Sequence, residues 1–402
     1  MPRIVIIGGG IGGLATALAL DRRGAEVIVY EQSAGTSDIG GGLHLSPNAL
    51  KALRVLGVED AIIASGSEAD FLTIRSWKSG RVISRMRPGS FRQQFGAPNV
   101  TVHRADLVDA LRGALTSAEI RFGARCEAVE ECGRGALARF ADGREIEADI
   151  IVGADGIHSV VRNSVCGLDA PRFAGCICWR GMAKADAVPG DISIAHGTMW
   201  MGPHGHVVHY PVRRGELINI VAHFDSRSWT EESWTRKCDL SEVAATYASW
   251  HSDLLRLFSC SGRWYKWALY DREPAQQWSK GRITLLGDSA HAMLPYLGQG
   301  GAMAIEDGCV LAAAVARHAD DLDTALLVYE RIRAPRARAA VLGSRARARE
   351  NHLVSRWARL TRDVKFAIRK HFSRDKTAFQ SAWLYSYDVG RELQWEAGPD
   401  RL

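Results

Sequence analysis

Several features are missing from this 402-residue chain, and each absence narrows what it can be. None of its eight cysteines, Cys126, Cys132, Cys166, Cys176, Cys178, Cys238, Cys260 and Cys309, forms a C-x-x-C pair, so their spacing announces neither a metal site nor a disulfide framework. Cys176 and Cys178 alternate around Ile177 as residues of a strand would, and no metal is expected. With no export signal, the thiols read as reduced groups of a cytoplasmic protein. Residues 4–20 carry no charge, yet they hold five glycines, lack a small-residue cleavage site before Asp21, and fall short of the roughly 20 apolar residues that a membrane span needs. Neither a signal peptide nor a transmembrane helix is expected.

Charge of one sign is also modest. The formal net charge is +6, partly concentrated in residues 331–375, where Arg331, Arg333, Arg336, Arg338, Arg345, Arg347 and Arg349 alternate with alanines in a segment of helical composition. No aromatic residue interleaves positions 331–349 to stack a base, so the run reads as a solvated helix face and not as a nucleic-acid surface. There is no internal repeat. There is also no second glycine fingerprint, which an enzyme with separate folds for a flavin and a nicotinamide would usually show.

What is present begins at residue 4. Residues 4–7 are apolar and β-branched, as suits a buried parallel strand, and Gly8, Gly10 and Gly13 follow in the G-x-G-x-x-G spacing. Gly8 permits the tight turn, Gly10 lets the backbone approach a pyrophosphate, and Gly13 lets the next helix lie close on the strand. A second strand over residues 25–30 ends at Glu31, where a carboxylate accepts hydrogen bonds from a ribose diol. The whole unit predicts a dinucleotide site with its phosphates at a helix N-terminus.

Further along, a loop at Gly40-Gly41-Gly42-Leu43-His44 precedes a short helix from about Ala49. Residues 70–102 read as short strands with turns at Lys78-Ser79-Gly80 and Pro88-Gly89, and a helix opens at His103-Arg104. From about residue 172 to 271 the texture becomes β-rich and tryptophan-rich. A hairpin is expected there, residues 206–212 and 217–224 flanking Arg213-Arg214-Gly215-Glu216. The chain then returns to strand, loop and helix, and ends in charged helices from about Thr324; its aromatic-rich end, from Trp383 to Trp395, is expected to pack on the body.

Two strand-end aspartates follow in this order. One is Asp155 in Gly153-Ala154-Asp155-Gly156, which also reads as a simple helix-capping residue. The other is Asp288 in Gly287-Asp288, ahead of the glycine-rich Leu297-Gly298-Gln299-Gly300-Gly301 and a long helix.

With these three motifs the sequence resembles the single-component FAD-dependent aromatic hydroxylases, the group of salicylate, hydroxybenzoate and 6-hydroxynicotinate hydroxylases, over nearly its whole length. The resemblance implies an α/β fold: a Rossmann-type FAD-binding domain (residues 1–70, 98–172 and 280–345), an inserted β-sheet substrate domain (71–97 and 173–279) and C-terminal helices (346–402). It implies FAD bound by Gly8, Gly10, Gly13, Glu31, Arg104, Asp155 and Asp288, with NADH or NADPH as co-substrate. It further implies a reaction in which reduced flavin traps dioxygen as a C4a-hydroperoxide that hydroxylates an electron-rich aromatic acid. The alternatives are an N-heteroaromatic substrate, an FAD oxidoreductase that inserts no oxygen, and a flavin-binding interaction protein. Monomer and homodimer both fit.

Such chemistry leaves the protein to position the ring, raise its electron density and exclude water. The loop from Pro295 through Gly298, Gly300 and Gly301 is able to lie against the isoalloxazine, and the helix after it aims its positive end there. On a strand, His206 and Tyr210 share a face and His209 points away, so His206 and Tyr210 form the first catalytic pair expected. His44 is the second candidate, while His291 is expected to play a structural part beside Asp288. A substrate carboxylate wants a cation, and Arg180 and Arg213 are both available.

Overall fold

The apolar β-branched runs build a parallel sheet. The computed structural model describes residues 2–35, 41–68, 72–85, 90–226, 228, 231, 236–372 and 381–395; Gly40 and the Pro88-Gly89 turn lie outside the described residues. Arg3–Ile7 sits in the middle of a six-stranded sheet, between Glu26–Tyr30 on one side and Ile150–Gly153 on the other. Glu119–Arg121 extends the sheet beyond the first, and Ile283–Leu285 with antiparallel Ser279–Lys280 beyond the second. Ile4, Val5, Ile6 and the residues Ile150, Ile151 and Val152 are buried on both faces, as parallel strands covered by helices must be. Helix Ile11–Asp21 covers one face and packs against helix Gly300–Arg317.

A second sheet of eight strands lies apart in sequence. Its order is Lys237–Cys238, Ser261–Asp271, Arg172–Lys184, Leu217–Asp225, Gly205–Val212, Gly197–Gly202, Leu72–Ser76, Val82–Arg85. The hairpin forms as the sequence indicates. Its turn puts Arg213 and Arg214 at positive φ (49° and 56°), a conformation non-glycine residues seldom adopt, and Asp106 holds the Arg213 guanidinium at 2.8 Å.

Pleating gives this sheet two faces. Trp179, Val207, Ile218, Ile220 and Ala222 point one way into a core with Tyr247, Leu254, Leu257 and Phe258. The other face is ordered in rows by the register. Cys178, His223 and His206 form one row, Arg180, Val221 and Val208 the next, and Met182, Asn219 and Tyr210 a third.

The arginine run departs from the sequence expectation. Within helix Leu322–Asn351, Arg331, Arg338 and Arg349 are exposed, but Arg333 is 0% exposed. Its guanidinium meets Glu306 at 2.8 Å and Asp307 at 2.8 Å, both likewise buried. Arg336 binds Glu306, and Arg345 binds Asp271 at 2.6 Å. The sequence does not show which arginines are held, because the partners of Arg333, Arg336 and Arg345, on helix Gly300–Arg317 and strand Ser261–Asp271, are remote in sequence.

Residues 384–389 of the aromatic-rich segment pack on the body. Leu384 and Val389 are fully buried, Tyr385 meets Phe91 and Phe95 edge-on, and Lys51 Nζ donates to the carbonyl oxygens of Tyr385, Ser386 and Tyr387. Among the described residues no helix is long and apolar enough to cross a membrane.

Candidate active site

The glycine turn is shaped as its spacing implies. Gly8 takes φ +110°, and a Cβ at Gly13 would collide with the Gly8 carbonyl oxygen. Gly10, the residue before helix Ile11–Asp21, would have nothing within 4 Å of a Cβ, which leaves free space in front of the helix N-terminus. Glu31 is held ready beside it. Its Oε2 accepts from Gly9 N–H at 2.7 Å and its Oε1 from Ser33 N–H at 2.8 Å.

The sequence-distant motifs converge on this turn. Strand pairing sets Ile7 beside Gly153, and a Cβ on Gly8 would strike the Ala154 carbonyl. Asp155 is occupied as a cap and a tie. Its Oδ2 accepts from Val160 N–H at 2.7 Å and Val161 N–H at 3.2 Å, and its Oδ1 from Ser159 at 2.5 Å and Ser289 at 3.1 Å. Burial raises its carboxyl pKa, opposed by these hydrogen bonds. Asp155 thus joins the second motif to the third, with both oxygens spent on the protein.

Asp288 is the opposite case. Its surface is accessible yet it is surrounded by protein, so burial raises its carboxyl pKa while His291 and Arg104 pull it down. No described residue hydrogen-bonds its carboxylate, which is therefore free for a hydroxyl-bearing ligand. His291 is fully buried and binds Asp307 at 2.7 Å, holding the turn behind Asp288.

Arg104 begins helix Arg104–Gly113 and stands in the field of both Glu31 and Asp288. Burial lowers its pKa first, and the neighbouring Arg180 lowers it further. It pairs with no carboxylate among the described residues. The Asp288 carboxylate, the Arg104 guanidinium, the Glu31 carboxylate held by Gly9 and Ser33, and the open helix N-terminus after Gly10 are groups that fit FAD.

The catalytic candidates divide. His44 lies on strand Gly42–Leu45, where its Nδ1 would be 3.2 Å from a Cβ at Gly298, and Asn99 hydrogen-bonds it. Burial brings its pKa down to about 4, so it is neutral near pH 7. Exposed Pro295 opens the one-turn helix Pro295–Leu297, and Gly298 ends it at φ +64°. Gly300 and Gly301 then begin helix Gly300–Arg317, with Gln299 anchored to Ser46 and Asn48 at 2.8 and 2.9 Å.

Tyr210 and His206 share a face but sit two rows apart with different partners. Tyr210 donates to the Gly42 carbonyl, and burial pushes its phenol up to about 12. His206 is 2% exposed, stacked on His223 at 4.6 Å and bonded to His352 at 3.0 Å. Of the two candidate cations, Arg213 is taken by Asp106, whereas Arg180 lies over the Trp267 ring at 4.9 Å with its Nε buried and unpartnered. The sequence offers Arg180 only as one of two cations, with no spacing to choose between them, and it does not mark His223, His352 or Asp225.

Comparison with known proteins shows the family. Residues 2–344 match the family described as an FAD binding domain. The chain is 39% identical over 389 residues to a 3-amino-4-hydroxybenzoate 2-monooxygenase of Streptomyces platensis, covering 96% of each, and 34% identical over 396 residues to a 3-hydroxybenzoate 6-hydroxylase of Klebsiella oxytoca, again covering 96% of each. A salicylate hydroxylase solved with its substrate superposes with a TM-score of 0.83 at 25% identity, over 100% of this chain and 99% of that one. The chain belongs to the FAD-binding-domain family, within its group of single-component FAD-dependent aromatic hydroxylases.

Proposed function

We propose that the protein hydroxylates an aromatic acid bearing a ring hydroxyl, with or without an amino group, consuming NADH or NADPH and dioxygen. The observation that carries this reading is Arg180: a guanidinium paired with no carboxylate among the described residues, in the middle row of the open sheet face, beside Arg104, with polar groups on either side. It suits a carboxylate, which it grips with two parallel hydrogen bonds. Bound FAD, once reduced, supplies the activated oxygen. The protein's own part is to seat the ring between Arg180 and the histidine row, to hold its hydroxyl near His206 or Tyr210, and to keep water out under the 295–301 loop.

In this reading Gly8, Gly10, Gly13, Glu31, Arg104 and Asp288 hold the cofactor, Asp155 ties its two loops, and residues 1–70, 98–172 and 280–345 form the cofactor domain. The eight free cysteines support a reducing, cytoplasmic setting. An N-heteroaromatic acid is the second reading, favoured by neutral His44 beside Gly298 as a partner for a ring nitrogen or its hydrogen.

The test is to load the protein with FAD and screen hydroxybenzoates, aminohydroxybenzoates and hydroxypyridine carboxylates for accelerated NADH or NADPH oxidation under isotopically labelled dioxygen. A product carrying one labelled oxygen supports the proposal. Ring oxidation with no label incorporated means that the enzyme inserts no oxygen, and the proposal fails.

A further inference from the structure

Asp225 ends strand Leu217–Asp225, His352 follows helix Leu322–Asn351, and His206 lies on strand Gly205–Val212. The Asp225 side chain is 39% exposed and that of His352 only 8%. Asp225 Oδ1 stands 2.6 Å from His352 Nδ1, and His352 Nε2 stands 3.0 Å from His206 Nδ1. A carboxylate accepts and cannot donate, so His352 Nδ1 carries the hydrogen and, in the neutral ring, His352 Nε2 is an acceptor. That acceptor takes its hydrogen from His206 Nδ1, which leaves a lone pair on His206 Nε2. The tautomers are thus set from the surface inward. They end at a nitrogen with no partner among the described residues.

We propose that His206, His352 and Asp225 form a proton relay from the bound substrate to the protein surface. The step balances as a proton transfer. His206 Nε2 takes the proton of the substrate's ring hydroxyl, the O–H bond breaks, and the substrate becomes a phenolate. His206 Nδ1 gives its hydrogen to His352 Nε2, His352 Nδ1 gives its hydrogen to Asp225, and the proton leaves from there to water. The inference rests on the functional reading above in requiring an activated ring hydroxyl.

The surroundings explain why one histidine is not enough. Burial holds both His206 and His223 well below the usual histidine range, and the charges of His223, His352 and Arg362 add to this at His206, as those of His352 and Arg180 do at His223. Tyr296 packs on both rings at 5.4 and 5.3 Å and gives its hydroxyl hydrogen to Cys176 Sγ at 3.1 Å, and His204 lies 3.6 Å from the other Asp225 oxygen. Among the described residues no anion stands beside His206 to stabilise a proton there. Passing it outward places it beside a carboxylate.

His206 is the catalytic residue in this scheme, and His352 and Asp225 are positioning residues. The test uses FAD-loaded protein with 3-amino-4-hydroxybenzoate and 3-hydroxybenzoate as probes, comparing Asp225→Asn and His352→Gln with the unaltered chain. The relay predicts that both variants keep FAD and a KM within about threefold, while kcat falls by about tenfold or more. It predicts that their activity rises only at higher pH, where the phenol ionises in solution, and that the red-shifted phenolate absorbance of bound probe at neutral pH is lost. Imidazole restores part of the activity of His352→Ala.

Unchanged kcat, pH profile and phenolate absorbance in both variants would overturn the relay. Cys176 Sγ, Asp225 and His352 approach within 4.8 Å of one another, so a chelator arm is included. Activity lost to EDTA and restored by zinc would also overturn it. If the unaltered protein binds a probe as the phenolate, loses that signal in both variants and releases no hydroxylated product, the relay stands and the functional reading fails.

Discussion

Tyr210 donates its hydroxyl hydrogen to the carbonyl oxygen of Gly42 at 2.8 Å, while Asn219 Oδ1 on the neighbouring strand accepts from the Gly42 N–H at 2.8 Å. Both polar groups of one glycine on strand Gly42–Leu45 are therefore satisfied by the eight-stranded sheet. Replacing Tyr210 with Phe leaves that buried carbonyl without its donor, at a cost of about 1–3 kcal/mol. The expected result is a protein that keeps FAD but wastes reducing equivalents. The ratio of hydrogen peroxide to hydroxylated product checks it, and an unchanged ratio would contradict a joining role for Tyr210.

The glycines of the first turn separate packing from ligand contact. Gly13→Ala drives a methyl group into the Gly8 carbonyl and should lower folded yield, because the helix must lift off the strand. Gly10→Ala meets no protein atom within 4 Å and should fold normally, yet bind FAD about tenfold more weakly or worse, since the methyl enters the phosphate's space. Fluorescence titration of FAD into each apoprotein distinguishes them.

Arg180 offers a sharper test of substrate class. Arg180→Gln should raise KM for a hydroxybenzoate by about tenfold to a hundredfold, the loss of a charge-assisted pair worth roughly 1.5–3 kcal/mol. It should have little effect on the corresponding benzamide, which carries no charge. Equal effects on acid and amide would move the carboxylate elsewhere.

The buried arginine governs stability more than catalysis. Arg333→Met strands Asp307 without its Nε–H partner and removes one of the two guanidiniums that hold Glu306, in a region with no water contact. Breaking a buried pair in this way costs about 3–5 kcal/mol. Thermal unfolding of the FAD-loaded protein should show a drop of several degrees, against almost none for exposed Arg338→Met.

Acid should weaken the fold before it disables the chemistry. His44 and His209 have folded pKa values brought down to about 4 and about 3 by burial, below the ordinary value of 6.5. The unfolded chain then binds more protons than the folded one below pH 6.5, so stability rises with pH there. Their contribution is fully present above pH 6.5 and is lost as pH falls toward 4 and 3. Urea midpoints measured between pH 7 and pH 4 should fall, and His209→Gln should flatten the slope.

What could be read from the sequence was local. The strand, the three glycines and Glu31 lie within 31 residues, and strand-turn-helix geometry follows from β-branching and from glycine's freedom at φ > 0. The hairpin announced itself in the same way, by two alternating runs around a short polar turn. Asp155 and Asp288 look alike as sequence, each a strand-end aspartate beside glycine. Only assembly shows one closed off by four hydrogen bonds and the other left free. The arginine run misled because an Ala/Arg helix carries no mark of which arginine will meet Glu306 and Asp307. His352 had no signal, being 146 residues from the ring it contacts.

In the proposed function, the pleat of the eight-stranded sheet assigns recognition and folding to alternate residues of the same strands. Val207, Ile220 and Ala222 hold the far side together, while His206, Val208, Tyr210, Asn219, Val221 and His223 line the near side in rows. A lineage with this scaffold is free to retune the ring it accepts one row at a time, without renegotiating the interior that keeps the scaffold upright.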